Sequence, residues 1–157
     1  EFLWNMLPVN SEAKTGVVTG KQVWDWLEKE LQNAFAKDPS KRFGGWFVRY
    51  NGMEVNFTIG NEFGKRVNSV KVGGEPIDLT KEYSIVACER EGDPEDTLCR
   101  IEHVKNPKKS PLLMHDVIIE YLKDHSPVSP NLEGRAIATD EPQTLLTQLK
   151  GTTYEFR

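Results

Sequence analysis

Three histidines, His103, His115 and His125, are the first places to look for metal or proton chemistry in this chain. No pair of them has the i, i+4 spacing that puts two ring nitrogens on one helical face. His115 and His125 sit ten residues apart, about 280° around a helix axis, so they cannot share a ligand set on one helix. Solvent-exposed or helix-capping roles are the expectation for all three. No G-x-S-x-G nucleophile elbow occurs. Gly44-Gly45 and Gly73-Gly74 are not followed by Lys-Ser/Thr opening a helix, which removes the phosphate-loop reading. Two cysteines, Cys88 and Cys99, allow one intramolecular bridge. Oxidised, they would close a loop of about ten residues, worth about 2–3 kcal/mol by chain entropy; reduced, they would pack as small hydrophobes. Composition does not choose between these states. Neither cysteine belongs to a C-x-x-C pair, which argues against structural zinc. On residues alone, the chain lacks a self-sufficient catalytic constellation.

The elements that would position such residues follow from pattern. The chain has 157 residues, 38% apolar and 28% charged, with a net charge of −4. That is enough for one domain with a real core. The acidic balance excludes a nucleic-acid module, and Lys105-Asn106-Pro107-Lys108-Lys109 reads as a solvated loop. No apolar run is long enough to span a membrane. A signal peptide is absent or already removed.

Thr19-Gly20-Lys21-Gln22 has the capping-box pattern. Val23, Trp24, Leu27, Leu31 and Phe35 then give an apolar stripe over a helix from about 20 to 36, ended by Asp38-Pro39. WFVRY (46–50), MEVNFTI (53–59) and RVNSVKV (66–72) read as strands, with a turn at Gly73-Gly74. EYSIVAC (82–88) is nearly continuous in apolar residues and reads as a buried strand. Residues 89–109 read as a charged loop of about twenty residues. Ser110-Pro111 is an N-cap and N1 pair for a second helix ending near His125. GRAIATD reads as a short strand and PQTLLTQLK as a short helix. The sum is one α+β domain, a mixed β-sheet packed by two main amphipathic helices.

The order of these signals is more specific than any one of them. Leu7-Pro8-Val9-Asn10, TGKQVWDWLEKEL, GGWFVRYNGMEV, GKRVNSVKVGGEPIDLTKEYSIVA, Glu91-Gly92-Asp93 and DVIIEYLKDHSPVSP together resemble the C-terminal domain of the 5′-nucleotidase family. The likeness covers residues 5 to about 140 and is strongest over 64–87. It implies a division of labour. An N-terminal metallophosphoesterase domain of the same chain would hold two divalent metals, Mn, Zn or similar, and hydrolyse a phosphoester. The present domain would bind the small-molecule substrate and carry no cofactor itself. The metal motifs of that catalytic half are absent here. Gly60-Asn61-Glu62-Phe63 is similar to one of them, Gly-Asn-His-Glu, but lacks its histidine and reads as a turn. The family's Gly-Gly-x-Arg segment would lie upstream of Glu1. The family also implies a periplasmic or extracellular location, where a Cys88–Cys99 disulfide would be permitted.

The resemblance also proposes pocket residues: Val9, Asn10, Gly45, Arg49, Arg90 and Asp93. In nucleotide-cleaving members the segment similar to Leu7–Asn10 reads Pro-Phe, and that Phe stacks on the base. Here the position is Val9. The second stacking Phe falls where this chain has Cys88-Glu89-Arg90-Glu91-Gly92-Asp93, which is shorter and has no aromatic residue, while Asp93 matches a ribose ligand. Each stacking contact is worth about 1–3 kcal/mol, so the substrate is expected not to be a standard adenine nucleotide. Arg49-Tyr50-Asn51-Gly52-Met53 and GRAIATD are more similar to the thiosulfohydrolase branch of the superfamily. A non-enzymatic binding module is the further alternative. Read as residues alone, Arg49 is a strand residue facing solvent, Glu89 and Arg90 a loop ion pair, and Asp93 a turn residue beside Gly92.

Overall fold

A computed structural model of the chain describes residues 2–44, 47–88, 92–129 and 133–140, with Cys88 described for its backbone alone. A short helix α1 (Phe2–Met6) precedes strand β1 (Glu12–Thr19), which passes directly into helix α2 (Gly20–Phe35). Next come a single 3-10 turn at Pro39–Lys41, β2 (Met53–Phe57), β3 (Val67–Val72), β4 (Glu75–Pro76) and β5 (Glu82–Cys88). β6 (Lys105–Leu113), α3 (Met114–His125) and β7 (Ala136–Ala138) complete the order. One sheet is antiparallel, in the order β5-β1-β6; the other runs β4-β3-β2-β7 and is mixed, because β7 lies parallel to β2. The α+β class is as expected, with two small sheets in place of one.

Helix α2 starts where the sequence places it. Thr19 Oγ1 accepts from the Gln22 N–H at 3.2 Å, and Gln22 Oε1 accepts from the Thr19 N–H at 2.8 Å, a complete capping box. The Gln22 amide also donates to the Glu102 and His103 carbonyls at 3.0 and 3.1 Å. Gly20 N donates to Lys81 O at 2.9 Å. A Cβ at Gly20 would lie 2.1 Å from the Asp78 carbonyl oxygen, so only glycine allows this approach.

From α2, Val23, Trp26, Leu27 and Leu31 enter the core. They meet Val18 of β1, Val55 and Phe57 of β2, Val67 and Val70 of β3, and Leu98, Ile101 and Val104 from the segment before β6. Trp26 takes the deep position that the apolar stripe assigned to Trp24, which is half-buried. Charged residues share this interior. Glu28 accepts from Val67 N at 2.7 Å and from Gly64 N at 3.0 Å. Glu30 is ion-paired with Arg100. Arg66 donates to Gln32 Oε1 at 2.5 Å, Ile59 O at 3.1 Å and Phe35 O at 3.4 Å, closing the C-terminal turn of α2.

Several sequence expectations need correction. Residues 47–50 form no strand. Phe47 instead packs on Phe57 with ring centroids 5.2 Å apart, and Tyr50 is tied to Arg135 through its hydroxyl (3.1 Å) and its carbonyl (2.7 Å). β5 is not buried: it is an edge strand, and its Val86 is 70% exposed. The expected loop at 89–109 and the expected cap at Ser110-Pro111 overlap a strand, β6. β6 is also an edge strand and is broken by register shifts, a setting in which Pro107 and Pro111 are tolerated although they lack an N–H. The second helix accordingly begins at Met114, and among the described residues of α3 only His115 is buried. The short helix expected at PQTLLTQLK lies outside the described residues.

Two stability outcomes follow. Gly20→Ala forces a methyl group into a backbone carbonyl, and overpacking of this kind costs about 1–3 kcal/mol. Urea unfolding should show a lower midpoint at unchanged slope; a shift below about 0.5 kcal/mol would contradict the contact. Burial pushes the Glu30 carboxyl above its usual range more strongly than the adjacent Arg100 lowers it. The native state therefore keeps this proton to higher pH than the unfolded chain, whose carboxyl titrates near 4.5. Stability contributed by this group falls as pH rises through that window. Relative to Glu30→Gln, the wild type should lose unfolding free energy as pH rises from 4.5, and the difference should level off above the raised value.

Candidate functional site

The register of β1 decides what meets at its N-terminal end. Ala13 stands opposite Cys88 of β5, and Glu12 stands opposite Leu113 of β6. The chain entering β1, the last residue of β5 and the start of α3 are thereby gathered at one end of the three-stranded sheet. Val9 and Asn10 lie on the entering segment. Asp93, half-buried, follows five residues after β5 ends. Arg90 and Gly45 lie outside the described residues.

Asn10 has a defined job here. Leu113, at the N-cap of α3, offers no side-chain acceptor. Asn10 Oδ1 fills that role from across the sheet end, accepting from His115 N at 2.9 Å, while Ser11 O accepts from Met114 N at 3.0 Å. A backbone N–H can only donate, so the amide oxygen of Asn10 must face the helix, leaving its NH₂ as the remaining hydrogen-bonding group. Val9, beside it, is 64% exposed.

His115 corrects the expectation for the histidines. It is buried, its Nε2–H donates to Leu7 O at 2.7 Å, and the Trp4 ring meets it edge-on with centroids 4.4 Å apart. The available signal was Leu113 itself, an apolar N-cap that obliges another part of the chain to satisfy the first helical N–H groups. His103 is exposed and faces Asp96 at 3.3 Å, and His125 Nδ1–H donates to Tyr121 O at 2.9 Å near the helix end. Both match the expectation. The turn read at Gly60-Asn61 is present, with the Asp140 carboxylate accepting from Ile59 N at 2.9 Å and Gly60 N at 2.7 Å.

Arg49 is not a strand residue. It is exposed on a cleft of about 430 Å³ between β5 and the segment 49–53. Val23, Trp26 and Ile101 are the buried residues of its lining, with Met53, Val72, Tyr83 and Ile85 half-buried around them. Trp26 Nε1–H is spent on Cys99 O at 2.9 Å. Burial pushes the Tyr50 phenol above its ordinary value, so this hydroxyl remains a neutral donor to Arg135 O. The side chain of Cys88 lies outside the described residues, and with it the expected pairing with half-buried Cys99. Among the described residues, no group of three or more His, Cys, Asp or Glu side chains is placed to hold a metal ion. Val9 and Asn10 stand at the sheet end, and Arg49 stands on the cleft.

No helix among the described residues is long and apolar enough to cross a membrane. The chain is 26% identical over 139 residues to Protein 5NUC of Lutzomyia longipalpis, a match covering 83% of this chain and 24% of that protein. It is 26% identical over 137 residues to the trifunctional nucleotide phosphoesterase protein YfkN of Bacillus subtilis, covering 83% of this chain and 9% of YfkN. The chain thus spans a quarter or less of these relatives. In fold it is similar to a 5′-nucleotidase precursor of Thermus thermophilus (TM-score 0.65, 21% identity, 89% of this chain and 27% of that one). It is also similar to the sulfate thiohydrolase SoxB of Thermus thermophilus (TM-score 0.62, 23% identity, 83% of this chain and 23% of that one). The model of the 5′-nucleotidase C-terminal domain matches residues 2–89, which run from α1 through β5 and include Val9, Asn10 and most of the cleft wall. More than half of the chain is thereby accounted for by one family, and the chain belongs to it: the 5′-nucleotidase C-terminal domain family.

Proposed function

We propose that this domain forms the substrate-binding side of a two-domain, metal-dependent phosphoester hydrolase, exported to the periplasm or the extracellular space. Its substrate is a small molecule other than a standard adenine nucleotide. The N-terminal metallophosphoesterase domain of the same polypeptide would hold two divalent metals, Mn, Zn or similar, which activate water and polarise the phosphoryl group. The residues of the present chain bind and orient. Asn10 presents its NH₂ to an acceptor atom on the substrate, because its oxygen is held by His115 N. Arg49 offers a positive charge to an anionic group, and Asp93 takes hydroxyl groups.

The observation that carries the reading is Val9. At the sheet end, next to fixed Asn10, the chain exposes an isopropyl group that is 64% accessible, where base stacking needs a ring. A thiosulfohydrolase-like parent is the second reading. Its support is the same missing ring, together with Arg49 and Met53 on the cleft beside β5.

The test uses the polypeptide that carries this domain. Phosphate release from AMP and from p-nitrophenyl phosphate is measured with Mn²⁺ and after chelation. The expected outcome is metal-dependent turnover of the generic ester with little turnover of AMP. Val9→Phe should tighten AMP by about 5- to 150-fold if one stacking contact is restored. Efficient wild-type turnover of micromolar AMP would overturn the substrate assignment. Absence of metal-dependent release from either ester would overturn the phosphoesterase reading in favour of thiosulfohydrolase chemistry or a plain binding module.

A further inference from the structure

The cleft along β5 has a chemistry that the sheet end does not explain. Its volume of about 430 Å³ falls in the range of small-molecule sites. Several of its polar groups are already bonded. Trp26 Nε1–H is bonded to Cys99 O at 2.9 Å. Tyr83 Oη accepts from Asp78 N at 2.9 Å, and Tyr50 Oη donates to Arg135 O at 3.1 Å. The Asn51 amide oxygen accepts from the neighbouring Gly52 N at 2.9 Å. The rest of the lining is mainly hydrocarbon and aromatic, with Met53, Ile85 and Val72 beside the rings, and the polar groups left to it, the Asn51 NH₂, the Tyr83 O–H and Ser84, are neutral.

Arg49 breaks the pattern. Among the described residues lining the cleft it alone carries a charge, and no acidic side chain lines the cleft with it. It is exposed, and no carboxylate of a described residue pairs with it. A guanidinium keeps its charge at any physiological pH and presents several N–H groups in one plane, a geometry suited to carboxylate, sulfonate or phosphate oxygens. An apolar slot with one unpaired cation on its lining is complementary to an apolar body carrying one anionic group. A purely polar anion would leave the walls unused, and a neutral hydrocarbon would leave the charge unanswered.

We propose that this cleft is a binding site for a flat, apolar monoanion, with its ring body against Trp26, Tyr83 and Met53 and its anionic group on Arg49. The proposal shares Arg49 with the anion-binding role given above, but the cleft's binding does not depend on whether the parent polypeptide cleaves phosphoesters. Hydrolysis and cleft binding are therefore measured separately and can fail separately.

The test compares two probes of nearly equal shape by isothermal titration on the intact chain: 1-anilinonaphthalene-8-sulfonate and its uncharged relative N-phenyl-1-naphthylamine. The sulfonate should bind once per chain and at least tenfold more tightly than the neutral probe. Arg49→Gln, a change at an exposed position, should remove that tenfold preference while leaving the neutral probe unaffected. Ala87→Trp, which narrows the cleft from β5, should weaken both probes, with far-ultraviolet circular dichroism confirming the fold. Three results would overturn the site: equal affinity for the two probes in the wild type, an unchanged sulfonate preference in Arg49→Gln, or unchanged binding in a folded Ala87→Trp.

Discussion

Everything in this domain depends on a strand that becomes a helix with no residue between them. Thr19 is at once the last residue of β1 and the N-cap of α2, so no loop exists to absorb an error in the angle between sheet and helix. Two neighbours are located by the same junction. Gly20 and Lys21 bond to Lys81 and Leu79 through their backbones, which places the turn that leads into β5. Gln22, having closed the capping box, reaches the carbonyls of residues 102 and 103, just before β6 begins. Both strands that flank β1 are thus set by three consecutive helix-start residues. The missing Cβ of Gly20 is the condition for all of it, because the Asp78 carbonyl occupies that space.

The other end of α2 is fixed by charge. Arg66 closes the last turn of the helix and also reaches Ile59 beyond β2, while Glu28 holds two N–H groups at the turn leading into β3. The helix is therefore bolted to the first sheet by its N-terminus and to the second by its C-terminal half. Burying such groups costs several kcal/mol of hydration per ion, which hydrogen bonds of good geometry only offset. Their effect is direction. Apolar residues alone would let the helix slide along the sheet, whereas a carboxylate facing two specific N–H groups has one register.

Those buried charges mark where sequence reading stopped. The capping box, the helix that follows it, β2, β3, the Gly73-Gly74 turn and the short strand β7 were legible, because each rests on local spacing. Glu28, Glu30 and Arg66 were not, since a charge in an amphipathic pattern reads as a solvated face until its partners 30 to 70 residues away are known. Residues 47–50 of WFVRY have strand-forming side chains but no ladder partner, and propensity cannot supply one. β6 was hidden by Pro107 and Pro111, residues that exclude a central strand and permit an edge one. EYSIVAC was right in type and wrong in burial, because an apolar run looks the same whether its face is covered by the domain or left open on a cleft. At the site, Asn10 was named for its pocket role, while its capping of α3 and the burial of His115 needed the register of β1 with both neighbours.

The capping role of Asn10 bears on how freely its neighbour Val9 can vary under the proposed substrate-binding reading. The entering segment is held by the Asn10–His115, Ser11–Met114 and Leu7–His115 bonds and by Trp4 against the imidazole. Val9 takes part in none of these contacts and points most of its surface to solvent. The backbone at position 9 is therefore positioned by its neighbours and is indifferent to its own side chain. A ring, an isopropyl group or a polar chain can stand there without disturbing β1, α3 or the core. Within residues 7–11, the backbone bonds and the Asn10 side chain fix the segment, while the Val9 side chain is left to solvent. Loops set on a rigid sheet commonly divide labour in this way. Here the division follows from which atoms of the loop are already bonded and which are not.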